Sequence, residues 1–280
     1  MMRAVRPSDS LWKEGAGYYT ESLEQVRNSP LLPDLRRLVD RRMLSIFDRH
    51  GSLAPGCRVL ELGCGRSRWL PFLAQHRGCD VSGLDTEAFA CELARANLAG
   101  AGAAGRILCG DAFDLERHRD LVGRFDLIYS MGLLEHFSDA TERIVALTRY
   151  LRPGGRMITT VPNMRGFNWL MQWLGSREIL EMHVVYDRKR LTRVHEAAGL
   201  TTLAAGYVGY FDGHISASDA APPRTVRRRL HGSLCRTSSL LAEAWQRTGH
   251  GALAPELPWC SPHVYYVGVA TEPRGTTPSA

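Results

Sequence analysis

No run of apolar residues in the chain approaches the roughly 20 that a helix needs to cross a bilayer, so a membrane-spanning protein is not expected. Behind the two arginines of Met1–Ser10 there is no apolar stretch either, which argues against a secretory signal and makes the cytoplasm the expected location. The seven cysteines (Cys57, Cys64, Cys79, Cys91, Cys109, Cys235 and Cys260) contain no C-x-x-C pair, and their odd number and scatter point to reduced thiols, not structural zinc. A long basic stripe interleaved with aromatic residues is also missing. The 35 Lys and Arg exceed the 29 Asp and Glu, but much of the surplus sits in local clusters such as Arg227–Arg229, so nucleic acid is not the expected partner.

What remains is an ordinary globular chain of 280 residues, 44% hydrophobic and 23% charged, long enough for one large domain or a domain with a cap. Leu35, Leu38, Val39, Met43, Leu44 and Phe47 recur at helical spacing, predicting a helical N-terminal segment over 1–50. From Arg58 onward short β-rich runs alternate with helical stretches, the signature of βαβ units and a parallel sheet. Strands are expected at 58–62, 80–84, 106–109, 125–130, 156–161, 201–208 and 263–270, within a core domain over 51–208 that is completed by 263–280. Gly199 is placed to stop the helix carrying Leu191, Val194, His195 and Ala198. The roughly fifty residues of 209–262 are too many for a hairpin connection and read as a helical insertion. Pro222 and Pro223 could start its helix, and Val226, Leu230, Leu234, Leu241 and Trp245 could give it an apolar side, as a cap or an oligomer contact. Monomer and homodimer both remain open.

The strongest local signal is Val59–Ser67, an apolar strand that passes through Glu61 and ends in Gly63-Cys64-Gly65. Glycines there permit a tight turn and close backbone approach to a ligand, although two glycines would serve a dinucleotide equally well. Asp85 ends the second strand twenty residues after Gly65, where a carboxylate can accept from both hydroxyls of a ribose. Gly110-Asp111-Ala112 closes the third strand, offering a carboxylate to an adenine amino group and a backbone N–H to a ring nitrogen. Two features argue against NAD. The third glycine of G-x-G-x-x-G is replaced by Arg68, and Glu61 would repel a pyrophosphate but suits the ammonium of a methionine moiety, directly or through water.

These segments, with Phe125–Ile128, Leu134-Glu135-His136 and Leu151–Gly155, make residues 57–209 resemble the class I S-adenosylmethionine-dependent methyltransferases, in the branch of the ubiquinone and menaquinone enzymes. The resemblance implies an α/β, Rossmann-like, doubly wound sheet of seven mostly parallel strands, with helices on both faces and an antiparallel last strand. It implies S-adenosyl-L-methionine as cofactor and S-adenosyl-L-homocysteine as product. The implied cofactor contacts are Glu61, Gly63, Cys64, Gly65, Asp85, Thr86, Gly110, Asp111, Ala112, Ser130 and Met131, with Tyr19 from an N-terminal lid. Ser67 departs from the frequent third glycine of the family turn. The expected substrate pocket draws Trp12 and Tyr18 from the same lid and Phe167, Trp169, Trp173, His183 and Tyr186 from the aromatic stretch after the fifth strand. Asp187 and His214 are weaker acid–base candidates.

A hydroxyl acceptor needs a base, and His136, just after the fourth strand, is the expected one, with a purely structural role as the alternative. Quinone O-methyltransferases that hold a divalent metal carry a further Glu three residues before the Glu-His pair; Gly132 stands there, so no metal is expected. The expected activity is O- or N-methylation of a secondary metabolite or quinone-like aromatic acceptor, a small-molecule partner with no nucleic acid and no membrane. Ser130–Leu133 lacks the Pro-Pro-aromatic turn of base-nitrogen methyltransferases, which argues against the alternative of a nucleic-acid substrate. A catalytically silent adenosine-binding subunit is the other alternative.

Overall fold

The computed structural model describes residues 22–210, 225–247 and 256–270. In chain order the elements are α1 (Leu23–Asn28), α2 (Leu38–His50), β1 (Arg58–Leu62), α3 (Trp69–Arg77), β2 (Asp80–Asp85), α4 (Ala88–Gly100), β3 (Arg106–Cys109), β4 (Phe125–Met131), α5 (Ala140–Thr148), β5 (Leu151–Pro162), α6 (Gly166–Gly175), α7 (Arg177–Met182), α8 (Arg188–Ala197), β6 (Leu200–Val208), α9 (Val226–Arg247) and β7 (His263–Ala270). Short 3-10 turns at Arg119–Leu121 and Leu134–His136 follow β3 and β4.

The seven strands form one sheet in the order β3-β2-β1-β4-β5-β7-β6, parallel except for β7, which runs antiparallel between β5 and β6. This is the expected architecture. Central strands of such a sheet are covered on both faces, which is why β1 and β4 are mainly apolar, interrupted by Arg58 and Glu61 in β1 and by Asp126 and Ser130 in β4. Their side chains alternate between two cores. Val59, Leu127 and Tyr129 face Phe47, Trp69 and Leu73 on one side; Leu60, Leu62 and Ile128 face Leu147, Tyr150 and Tyr266 on the other. The order reverses between β1 and β4, and at such a switch point the carboxyl ends of the strands leave a crevice for a ligand.

Strand positions match expectation to within a residue or two, except that β5 begins at Leu151, five residues early. The segment Leu151–Gly155, expected to precede the fifth strand, belongs to it: Leu151 pairs with Phe125 and Arg156 with Leu127, with a register shift between them. Gly155 permits this, because a Cβ there would lie 2.9 Å from the carbonyl oxygens of Phe125 and Arg152. The amphipathic N-terminal pattern is borne out over α2, whose Phe47 packs against both Trp69 and Tyr129 at ring-centroid distances of 5.1 Å. Leu35 falls before α2 and is exposed.

The insertion contains a helix, α9, and much of its apolar side is exposed rather than packed as a cap. Val226, Leu230 and Leu241 face outward, and the inward positions are His231 and Ser238, about a quarter of a turn away. The helix docks on α6, where the Arg227 guanidinium donates to the Trp173 carbonyl at 3.2 Å. The side chain of Trp245 lies outside the described residues. None of the seven cysteines is in a disulfide. Among the described residues no helix is long and apolar enough to cross a membrane.

Gly83 shows how tightly the layers meet. A Cβ at this β2 position would lie 2.8 Å from Cys64 Sγ and from Ile107 Cδ1, and 2.9 Å from Leu70 Cδ1. Overpacking of this kind costs about 1–3 kcal/mol, so Gly83→Ala should lower the midpoint of chemical denaturation by a corresponding amount with an unchanged slope. An unaltered midpoint would refute this account of the packing.

Candidate functional site

The crevice is built on the turn after β1. Gly63 (φ +67°) and Gly65 (φ +47°) adopt the left-handed backbone that other residues avoid, and Gly63 donates its N–H to the Leu84 carbonyl at 2.8 Å. The Asp85 carboxylate clamps this turn to the start of the loop after β2. Oδ2 accepts from the Gly65 N–H at 2.7 Å and Oδ1 from the Glu87 N–H at 2.9 Å. Each oxygen keeps a lone pair for a further donor. Burial raises the pKa of Asp85 and these backbone bonds counter it.

Glu61 lies beneath the turn and is almost fully buried. Its Oε2 accepts from Tyr129 OH at 2.8 Å and from Ser67 Oγ. Burial dominates and pushes its pKa up to about 8, so the carboxyl is protonated at neutral pH in the empty site. Ser67 also accepts from the Leu70 N–H at 3.1 Å and so caps α3. A hydroxyl therefore has two partners at the position where the family turn often has glycine. Arg68 turns away from the crevice to pair at 2.9 Å with the buried Asp40 of α2. Cys64 sends its side chain into the core beside Gly83, so only its backbone is available to a ligand.

At the end of β3, Gly110 is kept small by His118, whose Nε2 would lie 2.8 Å from a Cβ. The exposed Asp111 accepts through Oδ1 from the Phe113 N–H at 2.9 Å, and the buried Ala112 accepts from Tyr150 OH at 2.8 Å. Thr86 is exposed beside Asp85. At the end of β4, Ser130 is fully buried with its Oγ lacking a hydrogen-bond partner, and Met131 is half-buried. The next turn carries Glu135 and His136. Here the structure joins residues that sequence kept apart: donor atoms of Glu135, His136 and His183 all lie within 4.8 Å of one another. The two imidazoles are 4.8 Å apart, and the Val184 N–H donates to the Glu135 carbonyl at 2.6 Å. Burial, helped by His183, lowers the pKa of His136 to about 4, and burial raises that of Glu135 to about 8. Their 3.9 Å contact is thus between neutral groups at neutral pH.

The expected pocket residues divide. Tyr186 is almost fully buried in the core with Leu134, Ile144, Leu191 and Leu200, and burial raises its hydroxyl pKa to about 12. Phe167 is half-buried at the start of α6. Trp169 and Trp173 stack on one another with centroids 6.3 Å apart, Trp169 being exposed and Trp173 covered by the Arg177 guanidinium. Asp187 caps α8 through the Arg190 N–H at 2.7 Å and pairs with Arg165. Trp12, Tyr18, Tyr19 and His214 lie outside the described residues.

Asn97 was missed altogether. Fully buried in α4, it accepts from the Leu31 N–H at 2.6 Å and donates to the carbonyls of Leu31, Arg66 and Ser67 at 3.0, 3.3 and 2.7 Å. It holds the glycine turn to the N-terminal segment. Its signal in the sequence is an amide in phase with the apolar face of Ala90, Leu93 and Ala94.

Residues 31–205 match a family profile described as a methyltransferase domain. The chain is 29% identical over 168 residues to the ubiquinone biosynthesis O-methyltransferase of Cronobacter sakazakii, covering 59% of this chain and 67% of that protein. It is 28% identical over 151 residues to the Erwinia tasmaniensis enzyme of the same name, covering 53% and 60%. The matched region thus spans about two thirds or less of these relatives' length. Among solved structures, phosphoethanolamine N-methyltransferase 2 of Haemonchus contortus in complex with S-adenosyl-L-methionine shares the fold, with a TM-score of 0.55 at 12% identity over 93% of this chain and 60% of that one.

Removing the Asn97 amide leaves several buried backbone groups unsatisfied, each costing about 1–3 kcal/mol. Asn97→Ala should therefore lower the melting temperature by several degrees and loosen adenosine-ligand binding, although Asn97 lines no pocket. Calorimetric binding together with a melting curve checks this, and a variant with both quantities unchanged would defeat the assignment.

Proposed function

From its membership of the class I S-adenosylmethionine-dependent methyltransferases, we propose that the chain transfers the methyl group of that cofactor to a hydroxyl of a small aromatic, quinone-like or secondary-metabolite acceptor. The observation that carries the cofactor half of this reading is the Asp85 carboxylate, anchored by one backbone N–H on each oxygen and still open to two ribose hydroxyls. Asp111 and the Ala112 backbone take the adenine, Thr86 borders the ribose, and the Gly63–Gly65 turn takes the methionine moiety above Glu61. Ser130 and Met131 flank the reacting end. The acceptor half draws support from the name O-methyltransferase borne by the relatives and from the polar cluster just past β4.

In the reaction the acceptor oxygen attacks the methyl carbon in line with the carbon–sulfur bond. The bonding pair passes to sulfur, the sulfonium becomes a neutral thioether, and the hydroxyl proton moves to a base, for which His136 at the end of β4 is the assigned group. Holding oxygen, carbon and sulfur collinear in a site shielded from water supplies most of the acceleration. The side chains of Trp169 and Trp173 offer flat apolar surface near the start of the same connection and suit an aromatic acceptor.

The first test is calorimetric titration of S-adenosyl-L-homocysteine into the wild type and Asp85→Ala, with NAD as control. Two lost hydrogen bonds to a charged group should weaken binding on the order of 100-fold, with no NAD binding in either protein; strong NAD binding, or an Asp85→Ala protein that binds unchanged, would overturn the cofactor assignment. The same titrations carry a pH signature. Glu61 is protonated in the empty site below about pH 8, and a ligand ammonium beside it favours the carboxylate. Binding at pH 7 should release close to one proton, affinity should rise with pH up to about 8 and then level off, and Glu61→Gln should abolish the release. For catalysis, His136→Ala should lower kcat with catechol-type acceptors by about 100-fold or more while leaving cofactor affinity intact; unimpaired turnover would remove His136 from the mechanism.

A further inference from the structure

Position 132 cannot supply a metal ligand, because Gly132 has a left-handed backbone (φ +78°) and a Cβ there would come within 3.2 Å of Glu135 Oε1. The structure brings in a different donor. His183 follows α7 in a segment far from Glu135 and His136 in sequence, and the Val184-to-Glu135 backbone hydrogen bond fixes it beside them. We propose that Glu135, His136 and His183 bind a divalent transition-metal cation at the acceptor end of the site, His183 standing in for the carboxylate absent at position 132.

Three observations carry this. The donor atoms lie within 4.8 Å of one another. Ligands about 2.0–2.2 Å from one tetrahedral cation are about 3.4 Å apart, so closing on the ion takes side-chain movements of roughly 1 Å. His183 Nδ1 bonds to the Ile179 carbonyl, which can only accept, so the proton sits on Nδ1 and the lone pair on Nε2. A backbone carbonyl behind a metal-binding imidazole fixes the tautomer in the same way at known sites. Finally, Glu135 is nine-tenths or more buried, its Oε2 has no hydrogen-bond partner, and among the described residues no arginine or lysine pairs with it. A buried carboxylate without a cation is costly, and a bound cation removes that cost.

Two imidazoles and one carboxylate suit zinc, iron, cobalt or nickel better than magnesium or calcium, and three protein ligands leave a position open for an exogenous oxygen. Such an ion supplies Lewis acidity, lowering the pKa of a hydroxyl bound to it. This role for the ion rests on the methyltransferase reading, whereas the site itself does not. His136 would then be a ligand and not the proton acceptor, and the titration below, run on His136→Ala, decides between its two roles, a ligand losing cation affinity and a base keeping it.

The experiment uses the full chain, stripped with chelator and saturated with S-adenosyl-L-homocysteine, titrated with Zn²⁺ by calorimetry and with Co²⁺ by visible absorption. The expected result is one cation per chain, with affinity at least tenfold weaker in Glu135→Gln and His183→Ala. His183→Cys should instead keep Co²⁺ and add a sulfur-to-cobalt charge-transfer band that neither the wild type nor His183→Ala, which carry the same seven other thiols, shows. Absence of saturable binding in the wild type, equal affinity in all variants, or a His183→Cys spectrum without the new band would overturn the proposal. Homocysteine-ligand affinity, measured on the same samples, separates the two readings: a wild type that takes the cation but not the nucleoside sinks only the cofactor assignment.

Discussion

Everything at the crevice depends on the hydrogen bond from the Gly65 N–H to Asp85. It ties the turn after β1 to the end of β2, and it exists because the parallel register aligns Leu62 with Leu84, setting both strands to finish at one level. Burial raises the pKa of the half-buried Asp85 carboxyl and the backbone donors counter that, while the left-handed turn gains in the carboxylate an acceptor for its Gly65 N–H. Each feature makes the other tolerable. The same logic extends outward through Asn97, which holds the far side of the turn at the carbonyls of Arg66 and Ser67.

Beneath that surface lies a neutral polar layer. Glu61, Ser67 and Tyr129 share protons in a setting where a bare charge would be expensive, and the Arg68–Asp40 pair sits on the opposite flank. The floor of the crevice is therefore uncharged at neutral pH. The acceptor end follows a similar pattern, with His136 and Glu135 both held neutral by burial. Charge enters such a site mainly with what binds there.

The fold was legible because its signals are local: β1 and β4 are short, mainly apolar runs, glycines mark the turns, and Asp85 closes its strand at a telling distance from Gly65. The candidate cofactor residues were legible for the same reason, since each falls at a strand end that periodicity already locates. What escaped was set by contacts across the chain. Asn97 works through partners some thirty and sixty-six residues away. Tyr186 sits in an aromatic stretch of the sequence, and its depth of burial is set by packing. The early start of β5 was hidden by a Pro-Gly-Gly segment that spans the register shift opposite Phe125 and Leu127. In α9 the helix and its apolar positions were legible, but which way that side faces was not, because it is set by how the helix docks on α6, where the Arg227 guanidinium meets the Trp173 carbonyl.

The placement of β7 bears on how the protein is made. It is the last of the described strands and yet occupies an interior slot, flanked on both sides by strands synthesised long before it. Until it emerges from the ribosome, β5 and β6 each expose an unsatisfied edge across a gap one strand wide, the kind of edge that recruits foreign strands. The nascent chain thus passes through a stage in which the nucleotide-side half of the sheet can assemble while the other half waits. Its vulnerability to aggregation, and its demand for chaperones, should be concentrated in that interval and end when the final strand slides in.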